Sequence, residues 1–281
     1  MQRLLPALPA ALLLFLLLPG CGSENPAPAA PPPPVTLSRD HLTLTVEPAL
    51  GGRIASFTYK GRELLRTERD SADLHWGSTG WTAPQQDWNW PPPATFDRGP
   101  FAITRQDEHS IVLESAVDPV TNLQMTKRIR LGRENDIGVT YYVTNRGSEA
   151  VTVAAWENTR LPYGGRIEFA ADSVRTAVAP FDLAPENDDR YVLHFDDRHP
   201  RPAKVFADIN GEWVTYHHPN GLILRKTTAV RDYHQVPPTE APLEIYLDRP
   251  GGFTEFELIG EYKRIEFDEP STLRTRWQVL E

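Results

Sequence analysis

The stretch HWGSTGWTAPQQDWNWPPP, residues 75 to 93, gathers four of the chain's seven tryptophans with a histidine, two glutamines, an aspartate and an asparagine. Those side-chain types suit sugar binding. A pyranose ring lays its polarised C–H face on indole, and amides and carboxylates supply the donors and acceptors that hydroxyl pairs require. Trp76, Trp81, Trp88 and Trp90 are interspersed with Gln85, Gln86, Asp87 and Asn89, in a segment whose prolines and glycines make it read as more loop than strand. Four indoles in a polar loop are hard to bury together with every N–H satisfied, so at least one ring is expected to face a ligand. The competing reading is that the rings plug one end of the fold. If the piece is extended, Trp88 and Trp90 face one side together.

Sugar-ring chemistry also needs groups that move protons. Opening the ring takes a base at the anomeric hydroxyl and an acid at the ring oxygen, whereas glycoside hydrolysis takes two carboxyls about 5 Å or about 6.5 to 9.5 Å apart. The candidate carboxylates are Asp87, Glu157, Asp232 and Glu257, and the candidate acids are His75 and His234. Glu157 lies in the apolar strand context AAWEN, so it is either partnered in the interior or aimed into a cleft, because an unpaired buried carboxylate is costly. Asp232 and His234 fall in VRDYHQVPP, read as a loop. The acidic stretch ENDDRYVLHFDDRHPRP, residues 186 to 202, matches no metal-ligand spacing and reads as a solvated loop. No metal and no cofactor are expected.

The elements that must position these groups are mostly β-strands. Short alternating or β-branched runs recur from residue 40 onward: LTLTVEP, RIASFTY, FAITRQD, SIVLESA, MTKRIRL, IGVTYYVTN, AVTVAAWEN, LILRKTT, LEIYLD, FTEFELIG and LRTRWQVL. Turn signals such as NRGSEA (145 to 150) and HPNG (218 to 221) separate them, and no long stretch has a helical period. So many strands without a repeat argue for an all-β fold of two large, mainly antiparallel sheets packed face to face rather than a propeller.

Ahead of this domain, residues 1–20 have one arginine followed by a leucine-rich apolar run, the layout of a secretory signal peptide. The run is too short and too broken by proline for a membrane span. It ends in LPGC, which resembles a bacterial lipobox, so Cys21, the single cysteine, is the expected lipidation site. Residues 21–34 then form a lipidated, proline-rich tether, and residues 35–281 a single domain. Gly22 rather than aspartate follows the cysteine, which points to the outer membrane, facing the periplasm or the cell surface. With 29 Lys+Arg against 38 Asp+Glu and no basic run, nucleic acid is not an expected partner, and a monomer is expected.

The order of landmarks, LTLTVEPALGGRIASFTYKGRELL, then WTAPQQDWNWPPP and DRGPF, then IGVTYYVTNRGSEAVTVAAWENTRLPYGG, then TEFELIG before a closing WQVL strand, resembles the aldose 1-epimerase and galactose-mutarotase-like superfamily from about residue 40 to the end. More narrowly, the chain resembles an uncharacterised bacterial lipoprotein branch of it. The resemblance implies a β-supersandwich with a carbohydrate cleft on the concave face of one sheet. It implies a glutamate base in a late strand, Glu255 or Glu257, with Glu257 preferred. It also gives Arg53 a role in binding a sugar hydroxyl, against the alternative of pairing with a strand carboxylate. Where mutarotases carry a general-acid histidine, this chain has Trp156, Glu157 and Asn158. The expectation is therefore an exported, lipid-anchored carbohydrate-binding protein. If it is an enzyme, the implied activity is of the aldose-epimerase type, with Glu257 or Glu157 as base and His75 as acid. Arg53, Trp76, Trp81, Gln85, Asp87, Trp88, Trp90, Asp232 and His234 would bind substrate. The alternative is an envelope scaffold that uses the sandwich to dock other proteins.

Overall fold

Alternation of apolar and polar side chains builds this chain. The computed structural model describes residues 32–69, 75–178, 182–195, 201–228 and 235–281. Cys21, Asp232 and His234 lie outside them. The strands are β1 (Val35–Arg39), β2 (Leu42–Glu47), β3 (Arg53–Tyr59), β4 (Arg62–Glu63), β5 (Ser78–Ala83), β6 (Phe101–Gln106), β7 (Ser110–Ser115), β8 (Leu123–Leu131) and β9 (Asp136–Asn145). They continue as β10 (Val151–Pro162), β11 (Arg166–Ala177), β12 (Arg190–His194), β13 (Ala203–His217), β14 (Ile223–Thr228), β15 (Leu243–Asp248), β16 (Phe253–Ile259), β17 (Lys263–Ile265) and β18 (Pro270–Leu280). A 3-10 turn, Gln85–Asp87, and one short helix, α1 (Ala94–Asp97), follow β5.

All eleven runs read as strands form strands. Alternation also sorts their side chains: β2 and β9 bury every second residue, as expected of a sheet with one face on the core. The segment read as loop around Trp81 is instead the strand β5, buried at all six positions because it lies between two neighbours in a sheet interior. Part of the acidic stretch is also ordered, as β12.

Every ladder is antiparallel. One layer runs β2–β3–β5–β10–β16–β15 and reaches the first half of β13. The other runs from the second half of β13 through β14–β18–β9–β8–β7–β6. Strand β13 thus serves both layers, pairing through Ala203–Ala207 with β15 and through Trp213–His217 with β14. Its ladder with β11 carries register irregularities between Phe169 and Ser173, where such a long pair must bend. The core lies between the layers, with Phe57, Ile111, Met125, Tyr141, Phe169, Ile245 and Trp277 among its buried members.

Strand β10 divides its side chains between the two faces of its sheet. The ladder with β16 sets Asn158 opposite Glu257 and Arg160 opposite Glu255, so these four side chains share one face with Trp156. Glu157 and Thr159 point the other way, into the core. There Glu157 is fully buried, paired with Lys226 at 2.7 Å, and also accepts hydrogen bonds from Thr275 and the Trp277 indole. The cleft orientation considered for Glu157 is therefore corrected: its parity in β10 sends it to a partner across the sandwich.

Candidate carbohydrate site

The outer face of β10, β16, β15 and the first half of β13 forms the floor of a cavity of about 640 Å³. Its acidic residues are Glu240, Glu244, Asp248, Glu255 and Glu257, and Lys204 lies among them. Aromatic groups complete the wall: Trp81, Trp90, Trp156, Phe206, Tyr246 and Phe253, together with His75.

Trp81 is held from behind. Its indole N–H donates to Asp97 Oδ1 at 3.0 Å, and the same oxygen accepts from the Arg53 guanidinium at 3.0 Å. Asp97 ends α1, which lies against the Gly51-Gly52 turn so closely that a Cβ on Gly51 would sit 2.3 Å from the Asp97 carbonyl oxygen. Gly51 also has a φ of +70°, so two independent constraints require glycine there. Arg53 itself is buried, donates to the Trp76 and Asp97 carbonyls, and does not line the cavity. It does pair with a carboxylate, but one on a helix rather than on a strand. Arg53 therefore positions Trp81 through Asp97.

The four indoles divide between support and surface. Trp76 is buried, with the Arg53 and Arg69 guanidiniums 4.8 and 4.1 Å from its ring centre. Trp88 packs edge-on to Trp81 and donates to the Thr82 carbonyl, behind the cavity wall. Trp90 is 51% exposed and forms the rim, stacked with His75 at an interplanar angle of 3°; His75 stacks in turn on Phe253. The expectation that Trp88 and Trp90 face one way assumed an extended chain. The 3-10 turn at Gln85–Asp87 and the left-handed Asn89 (φ 54°) break that parity. Gln85, Gln86 and Asn89 line the cavity, whereas Asp87 is exposed beside it.

The floor is electrostatically unusual. Glu244 and Glu257 are direct cross-strand neighbours, and Lys204 Nζ lies 2.5 Å from Glu244 Oε2 and 3.5 Å from Glu257 Oε1. Neither oxygen of the buried Glu257 accepts a hydrogen bond. Burial, only partly offset by Lys204, raises Glu257 well above the usual carboxylate range, and Glu244 is raised for the same reasons. Burial alone would lower Lys204, but Glu257, Glu244 and Glu255 outweigh it and hold the ammonium above its ordinary value. Burial thus favours the protonated form of the Glu257 carboxyl, beside the Glu244–Lys204 pair.

Burial also lifts Glu240, which accepts a hydrogen bond from the Gln85 backbone N–H, to about 8. Its folded value is above the ordinary 4.5, so its stabilising proton is fully present below pH 4.5 and is lost as pH rises through about 8. Glu240→Gln is expected to make stability less steeply dependent on pH across that window, as measured by denaturant titration at a series of pH values. An unchanged slope would show that Glu240 titrates normally in the folded protein.

Sequence reasoning identified Glu257, His75, Trp81, Gln85 and Trp90, all of which line one cavity, but missed Lys204, Glu244, Glu240 and Tyr246. The FTEFELIG parity signal, which puts Glu255 and Glu257 on one face, applies equally to LEIYLD, where it would have aligned Glu244, Tyr246 and Asp248.

Several solved structures with the same architecture are described as mutarotase- or epimerase-like. A putative aldose 1-epimerase from Escherichia coli K12 superposes with a TM-score of 0.64 at 16% identity, covering 88% of this chain and 98% of that one. A galactose mutarotase-like protein from Lactobacillus casei ATCC 334 gives 0.64 at 13% identity, covering 88% and 100%. An aldose epimerase homologue from C. elegans gives 0.60 at 10% identity, covering 88% and 98%. At these identities the likeness is one of fold, and the chain has the galactose-mutarotase-like β-sandwich. A search of curated proteins returns no match. The sequence profile described as a domain of unknown function, DUF4380, matches residues 34–280, and the chain belongs to that family.

Proposed function

We propose that this protein binds the ring of a free sugar in the cavity and interconverts its anomers, acting at the cell envelope after export and lipidation at Cys21. One observation carries the reading. Many of the buried side-chain nitrogens and oxygens without a hydrogen-bond partner among the described residues belong to this one face and its rim: those of Thr79, Trp156, Asn158, Arg160, Glu240 and Glu257. Buried polar groups without partners are costly, and those of Trp156, Glu240 and Glu257 line the aromatic-walled cavity itself, an arrangement that suits a ligand rich in hydroxyls.

The sugar would lie against Trp90, His75 and Phe253. The anomeric hydroxyl gives its proton to one of the facing carboxyls, while the ring oxygen takes a proton from the other. The bond between the anomeric carbon and the ring oxygen then breaks, the open chain rotates, and the ring recloses on the other face. No redox partner is involved, and Glu244 and Glu257 return to their starting states. The chemistry is supported by burial that favours the protonated form of Glu257 and by the adjoining Glu244–Lys204 pair. Lipid anchoring is supported by the sequence of residues 1–21. A scaffold that docks proteins would call for a cleft filled by its own side chains, and a cavity of about 640 Å³ does not fit that reading.

The test is NMR exchange between the anomers of several free aldoses, with saturation transfer from protein to sugar recorded in the same samples. Accelerated exchange is expected; neither acceleration nor transfer for any aldose would overturn the proposal. Trp90→Ala should weaken sugar binding by about 1 to 3 kcal/mol, the scale of one aromatic anchor, as measured by calorimetry. Trp88→Ala, behind the wall, should weaken it less.

A further inference from the structure

On the other layer lies a face of opposite character. The ladders align Arg105 on β6, Val112 on β7, Arg128 on β8, Thr140 on β9 and Arg274 on β18 in one row across five strands. The three arginines are exposed. Each is two strands from the next, a spacing of roughly 10 Å. Arg130, two residues along β8 and about 7 Å away, begins a second row.

Several other surface arginines of this chain of net charge −9 are neutralised: Arg62 by Glu281, Arg264 by Glu266, and Arg276 by Glu134 and Asp136. Arg105, Arg128, Arg130 and Arg274 make no ion pair among the described residues. Like charges ranged across a sheet repel one another, so the fold carries them at some cost. Three of the four, with Arg39 and Arg133, also line a depression of about 380 Å³ whose single acidic residue is Asp107. Asp107 is itself engaged by the Ser110 hydroxyl.

We propose that this arginine-studded face is a second binding site, for an acidic glycan that lies across the strands and seats one anionic group in the depression. Guanidinium forks match sulfate, phosphate and carboxylate oxygens in geometry as well as charge. A row of cations at intervals of about 10 Å suits a polymer whose charge recurs along its length better than it suits a single small ion. A membrane surface is the poorer occupant. Surfaces that lie on lipid combine basic residues with large apolar ones that insert, and the exposed large hydrophobic residues nearest in sequence, Val117, Val120 and Phe267, sit outside the strands, in the β7–β8 and β17–β18 connections.

The experiment titrates the full chain with a fluorescent dextran sulfate oligosaccharide, the matching neutral dextran, and phosphatidylglycerol vesicles. Binding of the sulfated oligomer that weakens with added salt, and no binding of the neutral one to the Arg128/Arg274 face, is expected. R128E/R274E should weaken binding at least 10-fold, R128Q/R274Q several-fold, and R264E, a charge change of the same kind at a paired site, less than 2-fold. Circular dichroism of each variant verifies the fold. Equal loss in R264E would reduce the effect to overall charge and overturn the site. Binding to vesicles but not to the oligosaccharide would overturn the glycan assignment, as would no binding of either.

Discussion

Glu257→Gln is expected to slow enzyme-catalysed anomer exchange by about 10²- to 10⁴-fold, the usual share of a general acid or base, while sugar affinity changes little. The substitution preserves shape and hydrogen-bonding capacity but removes the group that can lose and regain a proton. Because neither Glu257 oxygen accepts a protein hydrogen bond and Lys204 lies closer to Glu244, the amide breaks no hydrogen bond, and the protein should fold normally. Glu244→Gln should also slow exchange, and it should disturb the pH profile as well, because Lys204 loses its closer counter-ion. Line-shape or exchange NMR at a series of pH values separates the two. If Glu257→Gln exchanges anomers at the native rate, the carboxyl pair is not the catalytic group.

The largest stability effect should come from the core. Lys226 and Glu157 are both fully buried, 2.7 Å apart, and bridge the two layers of the sandwich. Burial lowers the Lys226 ammonium to about 8 against the opposing pull of Glu157. Its Nζ also donates to Thr159 and sits 3.9 Å above the Trp277 ring centre. Lys226→Met would leave the Glu157 charge with hydroxyl and indole donors but no cation, and should cost about 3 to 5 kcal/mol. Combining it with Glu157→Leu should recover most of that loss, since a buried pair replaced as a unit by apolar groups is often neutral. Urea denaturation of the single and double variants decides the matter. A single-variant loss below about 1 kcal/mol, the scale of an exposed pair, would mean that water reaches the site.

Much of this fold was legible because a sheet with one buried face writes its period into the chain, as in SIVLESA and IGVTYYVTN. The strand β5 was not, because burial on both faces erases alternation in STGWTA, and glycine is needed at position 80 where a Cβ would meet Tyr141 at 2.7 Å. The cavity was half legible. The indoles announced themselves by residue type, and Glu257 by the resemblance to a family with a glutamate in a late strand. Lys204 in PAKVFAD and Glu244 in PLEIYLD carry no local mark, and what brings them to Glu257 is the cross-strand register of β13, β15 and β16. Glu157 and Glu257 looked alike as glutamates in apolar strands. Their fates differ because one faces Lys226 across the core and the other faces Lys204 in the cavity.

The two faces of β10 bear on how this family can diversify. Even-numbered positions from Trp156 to Arg160 belong to the ligand side, and the odd-numbered Glu157 and Thr159 to the side that holds the layers together. Both sets are buried, so substitutions on either carry a folding cost, but those on the first act on the cavity side and those on the second on the contact between the layers. A single-residue insertion or deletion in this strand would exchange the two sets at one stroke. Length, more than residue identity, is thus the property of β10 that lineages are least free to change.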